Sequence, residues 1–266
     1  MGLAISTKSF DCTIDEGLAH IDLNQPERGN PIDGEFCREF GLCIAELSER
    51  ADVRAVLLSA RGRLFSVGGD LTSLVKQEEA LPRTIKAWTG DLHAAIARMA
   101  RMRAPVVAAV QGNVAGGSVS LMAAADLVVM AESARISAAF SKIGISPDSG
   151  STTTVTRRIG VARARRFFLL GETLDAKTAF ALGLVDFIVP PGGVQSEAAR
   201  IAKELAAGPT EAFGAIKRLF AQTSDRSFES QLEEEAQTLA AISRTADARE
   251  GVRAFIEKRK PVFVGK

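Results

Sequence analysis

Apolar residues recur at helical spacing at Phe36, Phe40, Ile44 and Leu47 within "PIDGEFCREFGLCIAELSER", which predicts an amphipathic helix. Just upstream, "CTIDEGLAHIDLN" reads as two short strands about the turn signal Asp15-Glu16-Gly17. "VRAVLLSA" and "APVVAAVQG" are continuous apolar runs of strand length, and the second leads into a glycine-rich turn and a short helix over Ser118 to Ala125. "DLVVMAE" is then strand again. Such alternation predicts α/β architecture with crossover connections.

Beyond Ser151 the pattern becomes mostly helical. "STTTVTRRIGVARARRFFLLG" and "DAKTAFALGL" read as helices, and "VDFIVP" is a short strand ending at Pro190-Pro191. Four amphipathic segments follow, "VQSEAARIAKELAAG", "PTEAFGAIKRLFAQ", "SFESQLEEEAQTLAAISRT" and "ADAREGVRAFIEKRK", parted by Gly, Pro, Ser and Asp. The division this suggests is a core over 1–205 and a helical region over 206–266. Glu233, Glu234 and Glu235 read as a solvated helix face rather than a metal site.

Composition narrows the partners. Basic and acidic residues number 33 and 32, so no global field favours nucleic acid or an anionic membrane. Cys12, Cys37 and Cys43 are an odd set without CxxC spacing and read as reduced, buried thiols. "MGLAISTKSFDCTIDEG" lacks a basic region followed by an apolar one, and no apolar run approaches the ~20 residues of a membrane span. The expected location is cytoplasmic, with neither a metal nor a separate cofactor.

Two places set glycine beside a strand end, "LFSVGGDL" and "GNVAGGSVSL". Each can present a backbone N–H at a turn, the second where a helix begins and unpaired N–H groups favour negative charge. A pair of converging donors would make an oxyanion hole. Either Gly-Gly alone is ordinary turn chemistry.

The order of these segments resembles the crotonase superfamily, the enoyl-CoA hydratase/isomerase group. The resemblance runs through "IDLNQPERGNPID", "VRAVLLSARGRLFSVGGDL", "RAPVVAAVQGNVAGGSVSLMAAADLVVMAESARISAAFSKIGISPDSG", "GETLDAKTAFALGLVDFIVP" and "GVRAFIEKRKPVF", nearly the whole chain. It implies a spiral of ββα turns binding an acyl-CoA thioester, with C-terminal helices that build a homotrimer or a dimer of trimers. Coenzyme A would enter as part of the substrate. The oxyanion donors carried over are the N–H groups of Gly69 and Gly117, with Gly68, Ser66 and Gly116 in their turns. Gly69 stands where the family often has Ala, and Ser151 where many relatives have Gly.

Hydratases of the family use two glutamates, at positions that here hold Ser120 and Phe140. The apparatus for activating water is therefore missing. Asp148, in "KIGISPDSGS", stands where the family's isomerases often carry an acid, and one carboxylate can move a proton between two carbons of a dienolate. An Asx turn would explain the same residue, since Pro-Asp-Ser-Gly is a strong turn signal. Ser120 could orient water or Asp148, while Trp88 and Phe140 could shape the acyl pocket. His20 and His93 lie in no recognisable motif, His93 on a helix flanking the pocket. Arg28 would meet the CoA phosphates, and Lys260 and Phe263 a neighbouring subunit's CoA. Asp70 would brace the first turn. The resulting expectation is an enoyl-CoA isomerase; a hydratase and a non-catalytic acyl-CoA-binding protein are the alternatives.

Overall fold

The computed structural model describes residues 4–75 and 78–266. Residues 1–3 of the amino-terminal stretch "MGLAISTKSFDCTIDEG", and Lys76 and Gln77, lie outside the described residues.

The chain opens with β1 (Ala4–Ser6), β2 (Phe10–Asp15) and β3 (Leu18–Leu23), an antiparallel meander that turns at Glu16 and Gly17, both with positive φ. Helix α1 (Gly34–Glu49) starts at Asp33, whose side chain accepts the Phe36 N–H, and buries the predicted stripe Phe36, Phe40, Ile44 and Leu47. Strands β4 (Ala55–Ala60), β5 (Val106–Val110), β7 (Leu127–Ala131) and β10 (Phe187–Val189) continue the sheet in parallel, in the order β1-β2-β3-β4-β5-β7-β10. Among these, β4 and β5 are buried throughout, as strands covered on both faces must be.

A second, small layer makes the spiral. After β5 the chain forms β6 (Val114–Ala115) and α4 (Gly117–Ala123); after β7 it forms β8 (Arg135–Ser137), which pairs with β6 and with β9 (Thr173–Asp175). Bridges Ile32 to Gly69 and Ser66 to Val114 bring the earlier turn into the same layer. Each turn thus contributes one strand to the large sheet and one short stretch to the small layer.

The region between β4 and β5 is largely helical: α2 (Leu71–Val75) and α3 (Leu81–Met99), the second of which is the helix expected to carry His93 and starts well before it. In α3 the buried positions Leu92, Ala95, Ile96 and Met99 all lie in the second half, so its first half carries no core-facing stripe for periodicity to reveal. The expected helix beyond Ser151 is broken at Gly160 (φ 81°, ψ 157°) into α5 (Ser151–Ile159) and α6 (Val161–Leu169). Helix α7 (Ala176–Leu182) is capped by Asp175, and α8 (Val194–Ala206) packs on β4, β5 and β7.

Helices α9 (Thr210–Gln222), α10 (Phe228–Ile242) and α11 (Ala246–Ile256) complete the chain. Lys217 ties α9 to the core, its ammonium 2.7 Å from Asp126 and 2.9 Å from the Ala104 carbonyl. Helix α10 buries none of its residues. Glu233 and Glu235 are exposed and Glu234 pairs with Arg226 at 3.0 Å; among the described residues no acidic, His or Cys group is arranged to hold a metal ion. All three cysteines are free and buried. No helix among the described residues is long and apolar enough to cross a membrane.

Candidate active site

The two glycine turns meet. Gly68 has φ 84°, and a β-carbon there would lie 2.4 Å from the Ala115 carbonyl oxygen, so only glycine allows this approach. Backbone hydrogen bonds join the turns: Ala115 N–H to the Ser66 carbonyl at 3.1 Å, and Phe65 N–H to the Asn113 carbonyl at 3.1 Å. Ser66 is buried, and its hydroxyl accepts the Gly68 N–H at 3.1 Å. Gly116 donates to the Ser137 carbonyl. The next residues, Gly69 and Gly117, have N–H groups without an acceptor among the described residues, and both line a cavity of about 380 Å³. Gly117 opens α4, where first-turn N–H groups have no intrahelical partner. At seven residues α4 is short, so it supplies an uncommitted donor more than a long helix's field.

Asp148 lies across from Gly117 in the same cavity. A β-carbon on Gly117 would stand 3.4 Å from Asp148 Oδ1 and 3.3 Å from Ser149 Oγ. The Asp148 Oδ1 atom is enclosed and has no hydrogen-bond partner. Its backbone carbonyl, not its side chain, forms the turn, accepting the Ser151 N–H at 2.9 Å and the Ser151 hydroxyl at 2.7 Å. The Asx-turn explanation therefore leaves the carboxylate unused. Burial pushes the Asp148 carboxyl above the ordinary aspartate value, and the nearby Ser149 hydroxyl and His93 ring only partly oppose it.

Apart from Thr89, Ser146 and Ser149, the remaining wall is apolar. Trp88 and Leu92 of α3, Phe140 and Ile145 line it, with Cys37, whose thiol burial pushes up to about 12. Such a thiol stays protonated and adds no charge. Phe140 is buried against Phe168, ring centres 6.1 Å apart, so it is both wall and core.

Several residues stand elsewhere than expected. Ser120 is wholly buried and does not line the cavity; its hydroxyl donates to the Ser149 carbonyl and lies 3.2 Å from Thr154 Oγ1, so it braces the loop behind Asp148 rather than meeting substrate. Arg28 also lies outside the cavity wall, held by Asp33 at 3.0 Å and Asp70 at 2.8 Å. Asp70 in turn accepts the Ser73 N–H and hydroxyl, which ties the first turn to the start of α2. Burial alone would raise the Asp70 carboxyl, but these bonds from Ser73 and Arg28 hold it below its ordinary value. Lys260 and Phe263 sit in a tail anchored far from the cavity: Arg54, before β4, donates to the Phe263 carbonyl, while Val264 and Gly265 donate to Asp247. The cavity is built beyond the opposite, carboxyl end of β4, so in one subunit these residues do not join the site.

His20 bonds Ser59 at 2.7 Å between β3 and β4 and is not part of the cavity wall. His93 does bear on the site, its Nε2 accepting the Ser149 N–H at 3.0 Å. No sequence motif announces that contact, which spans 56 residues.

Comparison with known proteins matches this arrangement. The family model described as Enoyl-CoA hydratase/isomerase matches residues 13–266. The chain belongs to the enoyl-CoA hydratase/isomerase family. Within it, the chain is 33% identical over 254 residues to 1,2-epoxyphenylacetyl-CoA isomerase of Escherichia coli, covering 95% of this chain and 97% of that protein. It is 32% identical over 254 residues, with the same coverage, to trans-2-decenoyl-[acyl-carrier-protein] isomerase of Streptococcus mutans. Among solved structures, an enoyl-CoA hydratase from Polaromonas sp. JS666 is similar with a TM-score of 0.90 at 29% identity, over 96% of this chain and 99% of that one. Family membership accounts for the crotonase fold; the names of its members divide between isomerase and hydratase.

Proposed function

We propose that this chain is an isomerase that shifts a carbon–carbon double bond in an enoyl thioester. The observation that carries the proposal is Asp148, which lines the same cavity as Gly117 with its free N–H and holds an enclosed Oδ1 without a hydrogen-bond partner. The thioester oxygen would lie between the Gly69 and Gly117 N–H groups. Asp148, as carboxylate, would take a proton from C2 of a 3-enoyl group. The C–H electron pair enters the dienolate, whose charge gathers on the held oxygen. The protonated Asp148 then returns a proton to C4, leaving the double bond between C2 and C3. Atoms and electrons balance without water or a redox partner.

Hydration would need a held water and an acid and base on one face. The two positions that could supply them are Phe140, an apolar wall, and Ser120, already spent on the Ser149 carbonyl. The acyl group taken is uncharged and apolar, because among the described residues Asp148 is the one carboxylate on the wall and neither Lys nor Arg lines it.

The proposal extends to assembly as a trimer. Phe228, Leu239, Phe255 and Ile256 of α10 and α11 are exposed, Phe255 by 86%, and large apolar surfaces of this kind mark contacts with another chain. Arg28 and a neighbouring subunit's Lys260 and Phe263 would then serve the CoA end. The test of the activity is direct: 3-enoyl-CoA thioesters of several lengths are offered and the rise of the conjugated 2-enoyl absorbance is followed. Turnover supports the reading, and its absence with every thioester that binds rejects it.

A further inference from the structure

Two side chains outside the reacting groups hold the peptide that follows Asp148. Ser149 has φ 56°, a left-handed conformation that a serine seldom adopts. Such a residue persists where its surroundings over-determine it. Here its N–H donates to His93 Nε2 on α3 at 3.0 Å, and its carbonyl accepts the Ser120 hydroxyl on α4. Both ends of one strained residue are therefore gripped by side chains from other elements. Of the two ring nitrogens it is Nε2 that faces the Ser149 N–H.

We propose that His93 and Ser120 are positioning residues that clamp Ser149 and thereby aim the Asp148 carboxylate at the substrate. The inference rests on Asp148 being the base. With either grip released, Ser149 is free to leave the left-handed region, and the carboxylate attached one residue earlier moves with it. Displacement by about 1 Å can cost roughly 10²-fold in rate. Neither His93 nor Ser120 lines the cavity, so the clamp acts on the chemical step and not on substrate binding.

The experiment compares His93→Ala, His93→Gln and Ser120→Ala in the full chain, alone and with Asp148→Asn, using a 3-enoyl-CoA substrate. His93→Ala and Ser120→Ala each lower kcat by roughly 10- to 100-fold with KM within about twofold. His93→Gln, which offers an acceptor oxygen, recovers much of the loss. In the Asp148→Asn background His93→Ala changes residual turnover little, since the clamp works only through the carboxylate. Hydrogen exchange of the peptide containing Ser149 quickens in His93→Ala while distant peptides keep their rates. Unchanged kcat in His93→Ala, with Asp148→Asn inactive, overturns the clamp and leaves the base standing. Loss without rescue by Gln, accompanied by faster exchange throughout the chain, also overturns it. Full turnover by Asp148→Asn overturns the base itself, and the clamp's catalytic role falls with it.

Discussion

Asp148 Oδ1 stands 3.4 Å from the point that a β-carbon on Gly117 would occupy, so the carboxylate and the backbone donor are near neighbours across a narrow gap, which the proposed reaction gives to a thioester. Valine at 117 would push branched carbons into that gap and against Ser149 Oγ. Gly117→Val should lose at least the 10²–10³-fold in kcat that one oxyanion donor typically supplies. Overpacking should cost about 1–3 kcal/mol of stability, leaving a folded protein by circular dichroism. Unfolding instead would mark the glycine as a packing residue.

Asp148→Asn separates chemistry from stability. The amide cannot accept a proton, and loss of a general base typically costs roughly 10²–10⁴ in rate. The carboxyl's folded-state value is raised by burial, so the charged form penalises the folded state. That penalty is absent below the unfolded value, grows as pH rises through the interval up to the folded value, and is complete above it. Asn removes the penalty. The variant should therefore melt higher than the parent at pH 7 and gain nothing where the parent's carboxyl is protonated in both states. Thermal melts across pH check this; a lower melting temperature at neutral pH would contradict the burial argument.

The same raised value shapes the rate profile. With Asp148 as the proposed base, turnover needs its carboxylate, so kcat/KM should fall tenfold per pH unit on the acid side, beginning above the pH at which an ordinary aspartate titrates. An acid limb centred at or below that ordinary value would place the base elsewhere.

Gly69 has room that Gly68 lacks. No atom lies within 4 Å of a β-carbon at 69, and the N–H survives the change. Gly69→Ala should keep activity within a few-fold and stabilise by about 0.4–1 kcal/mol through the unfolded chain. Gly68→Ala should lose both, because its β-carbon would strike the Ala115 carbonyl.

Much of this was legible before the structure. The stripe of α1, the buried strands β4 and β5 and the two glycine turns all write their surroundings into local pattern, since core faces and tight approaches restrict residue type. The site's supports do not. The first half of α3 lacks a core stripe, the His93–Ser149 bond joins residues with no local signal, and Ser120 looks like any small helix residue until its carbonyl partner is placed. The course of the tail past Lys260 depends on Arg54 and Asp247, which sequence alone does not bring together.

In the proposed reaction one enclosed carboxylate moves a proton between two carbons without water joining the product. Its most direct test is a single turnover of a 3-enoyl-CoA carrying deuterium at C2, in ordinary water, with product read by mass and by the position of the label. The expected product is the 2-enoyl isomer at unchanged carbon and oxygen composition, with part of the deuterium delivered to C4 by Asp148. A 3-hydroxyacyl product, one water heavier than the isomer, formed as the main species would contradict it.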